Sequence, residues 1–132
     1  MKLSGNTIYI TGGGSGIGRG LAEALHTLGN KVIIGGRRRS HLDAVIAANP
    51  GMEAVELDIT DPASINHVAA KLTAGHPDLN VLINNAGIML PDAAAGRIDD
   101  ALMVATITTN LGPIRMTSAL IEHLNGKPDA VV

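Results

Sequence analysis

Residues 11–18 read T-G-G-G-S-G-I-G, with five glycines in eight positions directly behind the apolar run I-Y-I. Glycine loses more conformational freedom on folding than any other residue, so such a cluster needs a reason: positive φ angles, or a close approach of backbone to something else. The residues that follow show what kind. Ile17, Leu21, Ala24, Leu25 and Leu28 recur at helical spacing, and Gly29-Asn30 supplies a stop. A glycine loop between a strand and a helix is the setting of a phosphate-binding turn. Its bare N–H groups can approach a pyrophosphate, and the helix N-terminus adds favourable partial positive charge. The spacing is not G-x-G-x-x-G, because residue 17 is Ile; it is Thr11-Gly12-x-x-x-Gly16-x-Gly18.

The alternation begun there continues along the chain. Residues 7–11 form the first expected strand, 31–35 the second, 53–57 the third and 81–84 the fourth, with 130–132 opening a fifth. Between them stand helical patterns. Ser40 is the expected cap of a helix carrying Leu42, Val45 and Ile46 on one face, ended by Asn49-Pro50-Gly51. Asp61 and Pro62 make an N-cap and first-turn pair before Ile65, Val68, Ala69 and Leu72. A long helical stretch covers about 99–124, with an irregularity expected at Gly112-Pro113. Strand-helix alternation with apolar strands indicates right-handed parallel βαβ units. The expected fold is α/β: a doubly wound parallel sheet of the Rossmann type, truncated after about five strands, in one domain spanning 1–132.

Composition removes several other classes. The net charge of −2 and a single aromatic side chain, Tyr9, argue against nucleic-acid binding. No apolar run approaches the roughly 18 residues of a membrane span, and no signal-peptide pattern stands at the start, so the expected location is cytoplasmic. Cysteine is absent, which excludes thiolate metal sites and a cysteine nucleophile. His26, His41, His67, His76 and His123 show no ligand spacing and are read as structural or surface residues; no metal site is expected. Asp99-Asp100 reads as the charged start of a helix.

Three further segments carry chemistry. At the end of the second strand stands G-G-R-R-R, residues 35–39. A dinucleotide fold selecting NAD carries Asp or Glu there to bond the ribose 2′-OH. Here Gly36 takes that place and Arg37 follows, a residue suited to a 2′-phosphate, so NADP(H) is preferred over NAD(H). Arg38 and Arg39 read as a solvated basic turn. Asp58, after the third strand, is placed either to accept from an adenine amino group or to cap the next helix, for which Thr60 and Asp61 are better positioned. After the fourth strand comes N-N-A-G, residues 84–87, whose small residues keep backbone near a cofactor and whose Asn side chains are expected to tie neighbouring strands together. Met89 and Leu90 suggest an apolar wall beside it.

Taken together, T-G-G-G-S-G-I-G, Asp58, N-N-A-G and the T-N-L-G-P-I-R of residues 109–115 resemble the short-chain dehydrogenases/reductases, in order and over the whole chain. The resemblance implies hydride transfer between a nicotinamide cofactor and a small-molecule carbonyl or alcohol. It implies that Gly12, Ser15, Gly16, Ile17 and Gly18 cradle the pyrophosphate and that Arg37 meets the 2′-phosphate. Asp58 and Ile59 would hold the adenine, and Asn85, Ala86 and Gly87 would line the ribose and nicotinamide side. Asn110 matches the family's catalytic-tetrad asparagine. Homo-oligomer formation through the long helix is a further implication.

The other tetrad members of that family are a Ser and a Tyr-x-x-x-Lys pair. The only tyrosine here is Tyr9, with Gly13 where the Lys would stand, and Ser118 lies upstream of the family's serine. The chain therefore reads as the N-terminal, cofactor-binding portion of a longer reductase, catalytically incomplete as it stands; the alternative is a non-catalytic NADP(H)-binding or association module. A methyltransferase would also fit Gly14-x-Gly16-x-Gly18, but it requires acidic residues where Gly12 and Gly36 stand. The extended reductase branch requires glycine in place of Ser15.

Overall fold

The computed structural model describes residues 2–87 and 99–132. Strand β1 (Thr7–Thr11) leads into helix α1 (Gly16–Thr27), then β2 (Lys31–Gly36), α2 (Arg39–Ala48), β3 (Glu53–Glu56), α3 (Pro62–Gly75), β4 (Leu79–Ile83) and α4 (Asp100–Asn125). All strand pairs are parallel, in the order β3-β2-β1-β4. Beyond β4, Val131 bridges Val81 in parallel, with Leu82 N–H donating to Val131 at 2.9 Å and Val131 N–H to Asn80 at 3.0 Å. The expected fifth strand is thus present as one bridge, extending the order to β3-β2-β1-β4-Val131. The winding turns back between β1 and β4. In an open parallel sheet that reversal leaves a crevice at the carboxyl ends of the strands.

Period-2 alternation supplies both cores. Ile8, Ile10, Val32 and Ile34 face Ala22, Leu25, Leu42 and Val45 of α1 and α2. Tyr9, Ile33, Val55 and Leu82 face Ile65, Leu72, Met116 and Leu120 of α3 and α4. A strand buried on both faces has no polar side, which is why residues 31–35 read as almost continuously apolar.

Several boundaries differ from the sequence-based expectation. Helix α2 begins at Arg39 with Arg38 in the cap position, not at a Ser40 cap. Leu42 N–H bonds Arg38 at 3.1 Å and Arg39 pairs with Asp43 at 2.9 Å, so the first turn closes two residues earlier and takes Ser40 inside it. Strand β3 ends at Glu56, and β4 spans Leu79–Ile83 instead of 81–84, because Leu79 already pairs with Thr7. The Asp61 cap is as expected: its carboxylate accepts from Ala63 N–H at 3.0 Å, with Pro62 in the first turn. Asp99 caps α4 in the same way, accepting from Leu102 N–H at 3.1 Å. Helix α4 runs through Gly112-Pro113 without a break. Tertiary packing outweighs the hydrogen bond that Pro113 removes, since Gly112, Met116, Leu120 and Leu124 are all buried along that side. Among the described residues no helix is long and apolar enough to cross a membrane.

Candidate functional site

The glycine loop is held from both neighbouring strands. Gly12 N–H and Gly13 N–H both donate to the Gly35 carbonyl of β2, at 2.7 and 3.1 Å. From β4, Asn85 N–H and Ala86 N–H each donate to Thr11 Oγ1 at 3.1 Å, and Asn85 Nδ2 donates to Gly12 O at 3.3 Å. Gly12 (φ +72°) and Gly16 (φ +56°) occupy the left-handed region, where a side chain is strained. Gly18 is required for a different reason: a Cβ there would run into Gly12 O and Asn85 Nδ2. Helix α1 then starts behind Ser15, whose hydroxyl makes no capping bond. Among the described residues the N-terminal turn therefore keeps its N–H groups and that hydroxyl uncommitted, which suits an anionic ligand.

These segments converge on a cleft of about 780 Å³ at the carboxyl ends of the strands. Of the residues singled out from sequence, Gly12, Ser15, Ile17, Gly18, Arg37, Ile59, Asn85, Ala86 and Gly87 line it. Ile17 is 83% exposed, an apolar side chain left open to the cleft. Gly16 and Asn110 do not line the cleft. Asn110 is exposed on α4, whose cleft-facing residues are Ala105, Thr108 and Thr109. Met89 and Leu90 lie outside the described residues. Asn85 ties β4 to the end of β1 as expected, but Asn84 reaches a helix, donating to Thr117 Oγ1 of α4 at 3.1 Å.

The sequence reading missed the far wall. Leu57, Thr60, Ala105, Thr108 and Thr109 all line the cleft. For Ala105 and Thr108 the available signal is their position on the buried side of the long helix, whereas Thr109 opens the T-N-L-G-P-I-R motif without a role being assigned to it. Thr11, a member of the glycine motif, has a function its residue type does not reveal: it accepts the two N–H groups that hold N-N-A-G in place.

Asp58 sits beside Arg37 on the outer flank of the site, in a second cleft that also includes Ser64, His67 and Lys71. Its Oδ1 accepts from Thr60 Oγ1 at 2.6 Å and from Thr60 N–H at 3.0 Å. Those bonds, the hydroxyl's first, hold the Asp58 carboxyl below the ordinary aspartate range against the opposing effect of burial, and the charge of Arg37 adds a lesser contribution in the same direction. Asp58 thereby closes the turn before α3, and the cap of that helix is Asp61. Tyr9 is fully buried, and desolvation pushes its phenol far above the normal tyrosine range. It does not line the cleft.

Comparison with known proteins agrees with this geometry. The family model for short chain dehydrogenase matches residues 6–132. The uncharacterized oxidoreductase DltE of Bacillus subtilis is 34% identical over 134 residues, covering 100% of this chain and 53% of that protein. The 3-oxoacyl-(acyl-carrier-protein) reductase FabG of Escherichia coli is 34% identical over 131 residues, covering 96% of this chain and 52% of its own length. Among solved structures, 3-ketoacyl-(acyl-carrier-protein) reductase from Brucella melitensis complexed with NADH superposes with a TM-score of 0.85 at 29% identity, over 92% of this chain and 51% of that one. The chain spans about half the length of the curated relatives it matches.

Proposed function

The chain belongs to the short-chain dehydrogenase family, and we propose that residues 1–132 form one NADP(H)-binding domain, the cofactor-holding part of an oxidoreductase acting on a carbonyl or alcohol. The observation that carries this reading is the convergence of three distant segments, the glycine loop, the exit of β2 and the N-N-A-G turn, on one cleft. When bound, the nicotinamide supplies or accepts the hydride. The chain's own residues bind and orient it: Gly12, Ser15, Gly16, Ile17 and Gly18 hold the pyrophosphate, and Asp58 and Ile59 flank the adenine. Asn85, Ala86 and Gly87 line the ribose and nicotinamide side, and Asn110 takes the tetrad position on the strength of its motif.

Two features support NADP(H) over NAD(H). Gly36 stands where a carboxylate would bond the 2′-OH, and among the described residues Arg37 forms no salt bridge that would compete for a phosphate. Isothermal titration is expected to give tighter binding of NADPH than of NADH. Arg37→Asp should cost NADPH roughly 10- to 100-fold in affinity, the worth of one charge-assisted contact plus the new repulsion, and leave NADH little changed. Folded protein that binds neither nucleotide would refute the reading; an NADH preference would refute the Arg37 assignment alone.

These 132 residues are proposed to lack turnover of their own. A proton-exchanging tyrosine must reach the substrate, and the one tyrosine present is buried in β1 with its proton held tightly. An NADPH oxidation assay on protein of verified intact mass should show no substrate-dependent rate; turnover would overturn this.

A non-catalytic module acting by association is the second reading, and one feature of α4 favours it. Opposite its buried side, Met103, Ile107, Leu111, Ile114 and Ile121 are exposed on one stripe of the helix. A helix apolar on two opposite faces suits burial of both, which supports a homo-oligomer.

A further inference from the structure

We propose that Tyr9 is a positioning residue for the glycine loop and acts through Gly35. The inference rests on the reading of the loop as a cofactor cradle, and it concerns how that cradle is kept in shape. The Gly35 carbonyl is the acceptor for both Gly12 N–H and Gly13 N–H, so on the β2 side the entry to the loop hangs on one residue. The ladder pairs Gly35 with Thr11 of β1 and Val55 of β3, but Gly35 has no side chain of its own to pack against the layer beside it. The space its side chain would fill is taken by Tyr9. A Cβ on Gly35 would lie 2.9 Å from Tyr9 Cζ, 3.1 Å from Cε2 and closer still to the hydroxyl. Tyr9 itself is 0% exposed and belongs to the same buried cluster as Leu57 and Ile59, both of which line the cleft.

The phenol ring thus acts as a wedge from β1 against the backbone of β2. It restrains Gly35 where the loop is attached, and the loop meets its ligand already ordered, which lowers the entropic cost of binding. Tyrosine at 9 and glycine at 35 are two halves of one fit: either change alone should disturb the loop, and a matched pair of changes should restore it.

Amide hydrogen exchange tests this without any cofactor. In Gly35→Ala the Gly12 and Gly13 amides are expected to exchange about tenfold faster or more, relative to the Val32 and Ile33 amides in the middle of β2, as local opening separates from global opening. Adding Tyr9→Leu should return Gly12 and Gly13 toward wild-type rates and recover the NADPH affinity lost in the single variant. If Gly35→Ala does not fold, Tyr9→Leu alone leaves the space half filled and should accelerate the same two amides selectively. Equal acceleration of all four amides, unchanged Gly12 and Gly13 rates, or failure of the double variant to recover would each overturn the proposal. A wild-type protein that binds no NADPH would defeat the proposed function and leave this inference to be decided by the exchange rates.

Discussion

Gly18→Ala is expected to cost about 3 kcal/mol or more of stability and to abolish detectable NADPH binding. The added methyl would overlap Gly12 O and Asn85 Nδ2 and come within 2.9 Å of Gly12 C. Two of those three atoms are backbone, fixed at once by the β2 ladder and the β4 turn, so no rotamer change can relieve the clash. Either α1 moves away from the sheet, or Gly12 is pushed out of the position in which it holds Asn85. Both movements open the cradle. Gly20, two residues on in the same helix, is the control: nothing lies within 4 Å of a Cβ there. Gly20→Ala should stabilise by roughly 0.5–1 kcal/mol through helix propensity and leave binding intact. Thermal denaturation should separate the two variants by roughly 10 °C or more. Equal melting temperatures would mean that the close approach at Gly18 does not constrain the fold.

The contrast between Gly18 and Gly20 marks what could be read in advance. Elements built from local signals were legible. The Asp61-Pro62 cap, the apolar stripes and the strand alternation all depend on residues a few positions apart. The near wall of the cleft was legible too, because a phosphate cradle needs glycine at fixed spacings within one loop. What stayed hidden depends on contacts between segments distant in sequence. No periodicity joins Tyr9 to Gly35, or brings Thr108 and Thr109 of α4 over a loop that ended some 90 residues earlier. The start of α2 differs from expectation on another ground. Ser40 is a good cap by type, but the Arg39–Asp43 pair and the Leu42 bond to Arg38 set the cap two residues before it.

Gly112 holds the far wall in the way Gly18 holds the near one, and Gly112→Ala is the second large effect expected. A Cβ there would meet Ile59 Cγ1, would lie 2.8 Å from the Ile59 carbonyl oxygen, and would stand 3.0 Å from Cδ1. Helix propensity alone predicts a gain of about 1 kcal/mol for this change, whereas overpacking against a fixed carbonyl costs about 1–3 kcal/mol. The carbonyl should decide the sign, because the turn carrying Ile59 is closed by the bonds from Thr60 to Asp58 and cannot retreat easily. The net outcome expected is a loss of stability and a wider gap between α4 and the turn before α3. Ile59, Ala105 and Thr109 all border that gap and all line the cleft. Affinity should therefore fall about tenfold for NADPH and NADH alike, unlike Arg37→Asp, which discriminates between them. A fully stable Gly112→Ala protein with unaltered affinity for both nucleotides would show that α4 is not seated against the turn at Ile59.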